Sequence, residues 1–156
     1  MLKVIIIDDE QWSLDYMRDI VNWEQNGAVI VGEFSSARRA LEFLHNNRDI
    51  DLVFLDVEMP GMNGIEFLRN VGNSLPKTDF VFISGHDKFE YVRDAMRYRA
   101  TDYLLKPIES DEVLRLLACA EAARERDVVA VARHAQVGIL TADIQKNPRE
   151  IWGSSD

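Results

Sequence analysis

Acidic side chains follow two separate apolar runs in this sequence. Asp8 and Asp9 come directly after Leu2–Ile7, and Asp56 comes directly after Ile50–Leu55. Carboxylates held together repel one another, because two like charges ~4 Å apart cost about 4 kcal/mol at an effective dielectric constant near 20. A divalent cation relieves this repulsion, and carboxylate, carbonyl and water oxygens suit Mg²⁺ better than zinc or copper. If the fold brings the ends of the two apolar runs together, the three carboxylates predict a Mg²⁺ site.

Two more polar side chains follow apolar runs in the same way. Ser84 ends the run Asp79–Ser84, and Lys106 follows Thr101–Leu105. A carboxylate is a nucleophile toward phosphoryl groups when the charge on the transferred group is neutralised. The Lys106 ammonium and the Ser84 hydroxyl are suited to binding phosphoryl oxygens, so the set predicts formation of an aspartyl phosphate.

The elements that would position these residues alternate along the chain. Apolar runs predict strands, and the segments between them carry apolar residues at helical spacing, which is typical of βα units around a parallel sheet. The predicted strands are Leu2–Ile7, Ala28–Phe34, Ile50–Leu55, Asp79–Ser84 and Thr101–Leu105. The first, third and fourth are nearly continuous apolar runs, as expected of strands covered on both faces. The second contains Gly32 and Glu33, which favour an edge position.

Five helices are predicted from the period of the apolar residues. The first four have their inner stripes at Leu14, Met17 and Val21; Ala37, Ala40, Leu41 and Leu44; Ile65, Leu68 and Val71; and Phe89, Val92 and Met96. The fifth is predicted to begin near Ser110 and to bury Val113, Leu114, Leu117 and Ala120. We therefore expect one domain over residues 1–120. Residues 121–156 are expected to continue the fifth helix, with Gly138 a possible stop, and to end as a loop or linker.

Ligands of an open parallel sheet bind outside the carboxyl ends of its strands. The polar residues that end or directly follow the predicted strands at this edge are Asp8, Asp9, Asp56, Ser84 and Lys106. The pattern predicts that these five side chains converge on one edge of the sheet.

Composition narrows the classes of function. The chain has 156 residues and a formal net charge of −9, which argues against nucleic-acid binding by these residues, because phosphate backbones are bound through clustered Lys and Arg. The single cysteine, Cys119, allows no intramolecular disulfide and is expected to be a small buried hydrophobe. Trp12 and Trp23 are expected at the surface. No run of about 20 apolar residues occurs, so we expect a soluble cytoplasmic protein with no membrane contact.

Four segments together resemble the receiver domain of two-component response regulators, over roughly residues 1–120. These segments are Val4–Glu10, Val53–Gly64, Phe82–Gly85 and Asp102–Pro107. The resemblance implies a flavodoxin-like, doubly wound sheet of five parallel strands in the order 2-1-3-4-5, with helices on both faces. It also implies a signalling domain that catalyses only its own phosphorylation and dephosphorylation.

The resemblance further implies roles for individual residues. Asp56 would accept a phosphoryl group from a phosphohistidine on a sensor histidine kinase. Asp9 would bind Mg²⁺ directly and Asp8 partly through water, with the backbone carbonyl of Glu58 as a further ligand. Lys106 would bind the phosphoryl group.

Other implied roles concern the switch. Pro107 would follow a cis peptide bond that aims Lys106 inward, and Tyr103 would turn inward when Ser84 moves toward the phosphoryl group. The output face would consist of the fourth helix, the fifth strand and the fifth helix, where a homodimer or partner contact is expected.

The resemblance is closest to receivers that precede AraC-type DNA-binding output domains. It rests on Asn22-Trp23, Val31–Glu33 and Ser84–Tyr91. Arg99 departs from the family pattern, which usually has glycine there. No output domain follows in this sequence, so the chain is either a stand-alone receiver or part of a longer regulator, and DNA contact would require an output domain not present here. The cognate kinase, the signal and the regulated process are left open.

Other functional classes fit the same elements. A receiver-like module that binds partners without phosphorylation has the same fold, but it would not need the full set of Asp8, Asp9, Asp56, Ser84 and Lys106. A flavin carrier is disfavoured by the acidic loop after the first strand. A phosphatase of the haloacid dehalogenase type would have its two aspartates after one strand rather than after two.

Overall fold

We describe a computed structural model of the chain. It describes residues 1–85, 93–94, 97 and 100–146, with the backbone alone for residues 137–146. The stripe predicted for the fourth helix, Phe89, Val92 and Met96, lies outside the described residues, as does Arg99. The chain divides into two compact units, Met1–Ala120 and Glu121–Asp156.

The first unit contains one sheet of five parallel strands in the order β2-β1-β3-β4-β5. The strands are β1 (Leu2–Ile7), β2 (Ala28–Phe34), β3 (Leu52–Asp56), β4 (Asp79–Ser84) and β5 (Asp102–Leu105). This order confirms the predicted topology. β3 begins two residues later than predicted and includes Asp56 as its last residue, and β5 begins one residue later.

Burial follows strand position. Every residue of β3 is buried, whereas β2, which pairs only with β1, is mostly half-buried. The prediction of an edge strand at Ala28–Phe34 is therefore confirmed. Central strands of a parallel sheet are covered on both faces, which is why they appear in the sequence as continuous apolar runs.

Helices flank the strands. They are α1 (Gln11–Asp19), α2 (Ala37–Asn46), α3 (Gly64–Val71) and the C-terminal helix (Ser110–Lys146), with a short 3₁₀ helix at Glu24–Asn26. Side chains cap the N-termini of two helices by accepting hydrogen bonds from free backbone N–H groups. Ser36 Oγ caps α2, and Asn63 Oδ1 caps α3. The C-terminal helix continues through Gly138, so the stop considered at that glycine was wrong.

The core forms two layers, one on each face of the sheet. Ile5, Val53 and Phe80 pack with α2 and α3 on one face. Val4, Phe54, Val81 and their neighbours pack with α1 and the first turns of the C-terminal helix on the other face. The doubly wound sheet with helices on both faces, which the resemblance implies, is confirmed.

Two expectations about single side chains were wrong. Trp23 is buried rather than at the surface, and its indole N–H donates to the carbonyl oxygens of Met17 and Arg18, both at 3.1 Å. Cys119 is exposed rather than buried. Trp12, in contrast, is 63 % exposed, as expected.

Among the described residues, none of the helices has both the length and the hydropathy that crossing a membrane requires.

Candidate functional site

Three carboxylates meet at the carboxyl edge of the sheet. Asp8 and Asp9 follow β1, and Asp56 ends β3, which is the direct neighbour of β1. One carboxylate oxygen from each residue lies within 4.8 Å of those of the other two. Asp8 and Asp56 are buried, whereas Asp9 is more accessible to solvent. The parallel pairing of β1 with β3 thus produces the acidic cluster.

Backbone amides fix the orientation of the two buried carboxylates. The N–H of Glu10 donates to Asp8 Oδ1 at 3.0 Å, and the N–H of Glu58 donates to Asp56 Oδ1 at 3.3 Å. In each case the donor is two residues beyond the aspartate, a local arrangement common for Asp side chains in turns. One oxygen of each carboxylate is held in this way, and both Oδ2 atoms lie near Lys106.

Lys106 brings a positive charge to the cluster from β5. Its Nζ lies 3.1 Å from Asp8 Oδ2 and 3.7 Å from Asp56 Oδ2. Its backbone N–H donates to the carbonyl oxygen of Ser84 at 2.8 Å, which aligns the ends of β4 and β5. The peptide bond between Lys106 and Pro107 is cis. The ammonium also lies 5.8 Å from the ring centroid of Trp12.

Burial and neighbouring charges shift two pKa values in this site. Burial and the neighbouring Asp8 carboxylate raise the pKa of Asp56 from 3.8 to about 7, although Lys106 and the Glu58 amide oppose the shift. Burial lowers the pKa of Lys106, but Asp56 and Asp8 outweigh it, so the pKa of the ammonium is raised. Within the described part of the chain, Lys106 is the ammonium that pairs with the buried carboxylates of Asp8 and Asp56.

The remaining predicted residues lie at different distances from this centre. Ser84 ends β4 and is fully buried. Glu58 points its backbone N–H at Asp56 and has an exposed side chain. Tyr103 lies in β5, half-buried against the core layer of α2 and α3. Lys106 thus contacts Asp8 and Asp56, and Asp9 completes the carboxylate cluster. Ser84 lies at the end of the adjacent strand, and Tyr103 packs against the core layer of α2 and α3.

Gly64 has a role that spacing alone did not reveal. A Cβ placed at this position would lie 2.9 Å from the carbonyl oxygen of Asp56 and 2.8 Å from the ring of Phe82. Its N–H donates to the carbonyl oxygen of Val57 at 2.9 Å. Only glycine lets α3 begin this close to the end of β3.

The raised pKa of Asp56 predicts how stability depends on pH without a metal. The folded state holds a proton on Asp56 up to about pH 7 and the unfolded chain only up to about pH 4. The folded state therefore binds more protons in this window, so the Asp56 contribution to the free energy of unfolding falls as pH rises. At 1.36 kcal/mol per pKa unit the full shift would correspond to about 4 kcal/mol, and solvent at the edge of the sheet reduces this to about 1–3 kcal/mol.

Asp56→Asn removes this titration. In the presence of a chelator, we expect the variant to become more stable than the unmodified protein by about 1–3 kcal/mol as pH rises from about 4 to about 7. Urea denaturation at several pH values measures the difference. A stability difference that is constant over this range would show that Asp56 titrates normally.

Comparison with known proteins shows which family the chain resembles. The family model described as response regulator receiver domain matches residues 4–118. A transcriptional regulatory protein of Bacillus subtilis, YesN, is 36 % identical over 117 residues, which cover 75 % of this chain and 32 % of that protein. The chain thus spans about a third of the length of this relative.

Solved structures show the same architecture. The REC domain of AraT, a response regulator from Geobacillus stearothermophilus, superposes with a TM-score of 0.73 at 30 % identity and covers 81 % of this chain and 97 % of that one. A two component transcriptional regulator AraC from Clostridium phytofermentans superposes with a TM-score of 0.69 at 27 % identity, covering 78 % and 94 % of the two chains.

Proposed function

The chain belongs to the family of response regulator receiver domains, and from this premise we propose that it is a switch controlled by phosphorylation of Asp56. Receiver domains are signalling modules of two-component systems, and relatives of this chain include transcriptional regulators. The observation that carries the proposal is the contact of Lys106 with both Asp8 and Asp56 at the edge of the sheet.

Receiver domains bind Mg²⁺ through acidic residues, and the residues present here fit this ion. The donor set consists of oxygen atoms only: the carboxylates of Asp8, Asp9 and Asp56 and the backbone carbonyl of Glu58. When bound, Mg²⁺ would offset the charge of the carboxylates and of the incoming phosphoryl group. Burial and then the neighbouring Asp8 carboxylate raise the pKa of Asp56, and a bound cation would counter both effects by stabilising the ionised form.

The chemical step we propose is nucleophilic displacement at phosphorus. An Asp56 carboxylate oxygen forms a bond to the phosphorus of a phosphohistidine on a sensor histidine kinase. The phosphorus–nitrogen bond breaks, and the imidazole leaves with its electron pair. The Lys106 ammonium neutralises charge on the phosphoryl oxygens, and the Ser84 hydroxyl binds another of them. The chain thus catalyses only the phosphorylation and dephosphorylation of itself.

Phosphorylation would act as a switch through new contacts at the same edge. The modification adds about −1.5 to −2 charge and acceptor oxygens for Ser84 and Lys106. At about 1.5–3 kcal/mol for each charge-assisted hydrogen bond, two such contacts approach the ~5.5 kcal/mol that moves a population from 1:99 to 99:1. Tyr103, which lies in β5 half-buried against the core layer of α2 and α3, would turn inward as Ser84 moves.

The output surface we propose consists of the predicted fourth helix, β5 and the C-terminal helix, and it would form a homodimer or a partner contact. Leu105, in β5, is 42 % exposed, which leaves an apolar side chain available there. The match to a regulator named AraC supports the closer resemblance to receivers that precede AraC-type output domains. With a net charge of −9, DNA contact would come from such a domain in a longer protein, and we propose a cytoplasmic location.

Phosphate incorporation from a small phosphodonor tests the proposal. We expect the unmodified chain to incorporate one phosphoryl group when Mg²⁺ is present, measured by intact-mass spectrometry. A chelator should reduce the rate by at least ~100-fold, because three clustered carboxylates would otherwise repel the donor. Mild hydroxylamine should release the group, as expected of an acyl phosphate. No incorporation under these conditions would favour the phosphorylation-independent module instead.

A further inference from the structure

The Lys106 ammonium has an aromatic neighbour as well as two carboxylates. Its Nζ lies 3.1 Å from Asp8 Oδ2 and 3.7 Å from Asp56 Oδ2. The same atom lies over the indole of Trp12, 5.8 Å from the ring centroid. A cation within ~6 Å of an aromatic centroid is attracted by the negative face of the ring, and tryptophan gives the strongest attraction. Trp12 is therefore a third, uncharged partner of this lysine.

A hydrogen bond fixes the helix of Trp12 against the segment of Lys106. Trp12 lies in the first turn of α1, and the Tyr16 hydroxyl, one turn further along, donates to the carbonyl oxygen of Ile108. Ile108 is only two residues beyond Lys106 in the loop that follows β5. The indole and the ammonium are thus brought together by backbone segments that are themselves joined.

The exposure of Trp12 shows that the ring is not placed there to fill the core. Trp12 is 63 % exposed, whereas Trp23 is 7 % exposed and packs edge-on against Phe54. The Lys106 side chain, in contrast, is only 24 % exposed. Because so little of Trp12 is buried, a substitution there mainly affects the side chains beside it at the edge of the sheet.

We propose that Trp12 is a positioning residue for phosphorylation, whose indole holds the Lys106 ammonium at the edge of the sheet during phosphoryl transfer. This inference rests on the proposed function. Asp8 and Asp56 are also the proposed Mg²⁺ ligands, so their ion pairs with Lys106 weaken when the cation is bound. The indole has no oxygen to offer Mg²⁺ and keeps its attraction for the ammonium. It thereby restricts a lysine side chain that otherwise has large rotational freedom.

Rates of phosphate incorporation in saturating Mg²⁺ test the role of the ring. Trp12→Leu and Trp12→Phe are matched variants, because both shorten the side chain and only phenylalanine retains an aromatic face. We expect Trp12→Leu to react about two- to fivefold more slowly than the unmodified chain, the effect of losing one exposed cation–π contact, and Trp12→Phe to lie between them. In the Lys106→Met background the two variants should react at equal rates, because the ring acts through the ammonium.

A second measurement requires neither Mg²⁺ nor phosphate. In the full chain labelled with ¹³C-lysine, the ring current of the indole should shift the ε-methylene protons of Lys106 upfield, and Lys106→Met identifies their resonance. We expect the upfield shift in the unmodified chain and its loss in Trp12→Leu. The remaining lysine resonances should coincide in the two spectra, which shows that the variant is folded.

Three results would overturn the role of Trp12 and leave the proposed function in place. They are an unchanged Lys106 resonance in Trp12→Leu, equal rates for Trp12→Leu and Trp12→Phe, and a difference between these variants that persists in the Lys106→Met background. No incorporation by the unmodified chain would instead refute the proposed function, and the role of Trp12 with it, even where the ring-current shift is observed.

Discussion

Asp56→Asn should lower phosphate incorporation by at least about a thousand-fold, to the level of background labelling. The proposed reaction begins at a carboxylate oxygen of Asp56, and an amide has no comparable nucleophile. The substitution preserves the shape of the side chain, and its Oδ1 still accepts the Glu58 N–H that orients the aspartate. Initial rates of label transfer from a small phosphodonor in saturating Mg²⁺ measure the effect.

Asp51→Asn provides the matched control for this experiment. Asp51 immediately precedes β3, at the opposite end of the same strand, and its carboxylate accepts the backbone N–H of Lys3 at 2.8 Å. An asparagine accepts the same hydrogen bond, so labelling should match that of the unmodified chain. If Asp56→Asn is labelled as fast as the control, the acceptor is another residue, and Asp9 is the next carboxylate to replace.

Lys106→Met should separate chemistry from metal binding. We expect the rate of phosphate incorporation at saturating Mg²⁺ to fall about 100- to 1,000-fold, the usual loss when one preorganised charge-stabilising group is removed. The apparent affinity for Mg²⁺ should rise at least ~10-fold, because an ammonium 3.1 Å from Asp8 and 3.7 Å from Asp56 competes with any cation for the same oxygens. Trp12 fluorescence follows the titration, since its ring adjoins this cluster.

Lys77→Met controls for loss of a lysine. Lys77 is exposed in the segment before β4, at the amino ends of the strands and away from the site. Its replacement should change neither the rate of phosphate incorporation nor the apparent affinity for Mg²⁺. A parallel fall in rate and affinity in Lys106→Met would indicate that the lysine merely supports the fold. An unchanged rate would exclude Lys106 from phosphoryl binding.

The sheet and the acidic cluster could be predicted because both depend on short-range patterns. Continuous apolar runs predict the buried strands, and the rule that ligands bind at carboxyl strand ends selects Asp8, Asp56 and Lys106 from the sequence alone. Their oxygen and nitrogen atoms are within contact distance in the structure. Parallel topology alone converts positions far apart in sequence into neighbours.

Other features depend on tertiary contacts that no local pattern encodes. Trp23 is buried because its indole N–H finds two carbonyl oxygens at the end of α1. The exposure of Cys119 is different, since it lies outside the stripe of Val113, Leu116, Leu117 and Ala120, and strict helical periodicity would have shown this.

The ion pair between Lys106 and Asp8 joins residues 98 positions apart. Four of the five strands, β2 to β5, lie between them along the chain, so this ion pair cannot form before β5 has been synthesised. A nascent chain that has not yet produced β5 would hold its aspartates without their lysine. If Asp56 is phosphorylated as we propose, competence to signal is therefore coupled to completion of the sheet.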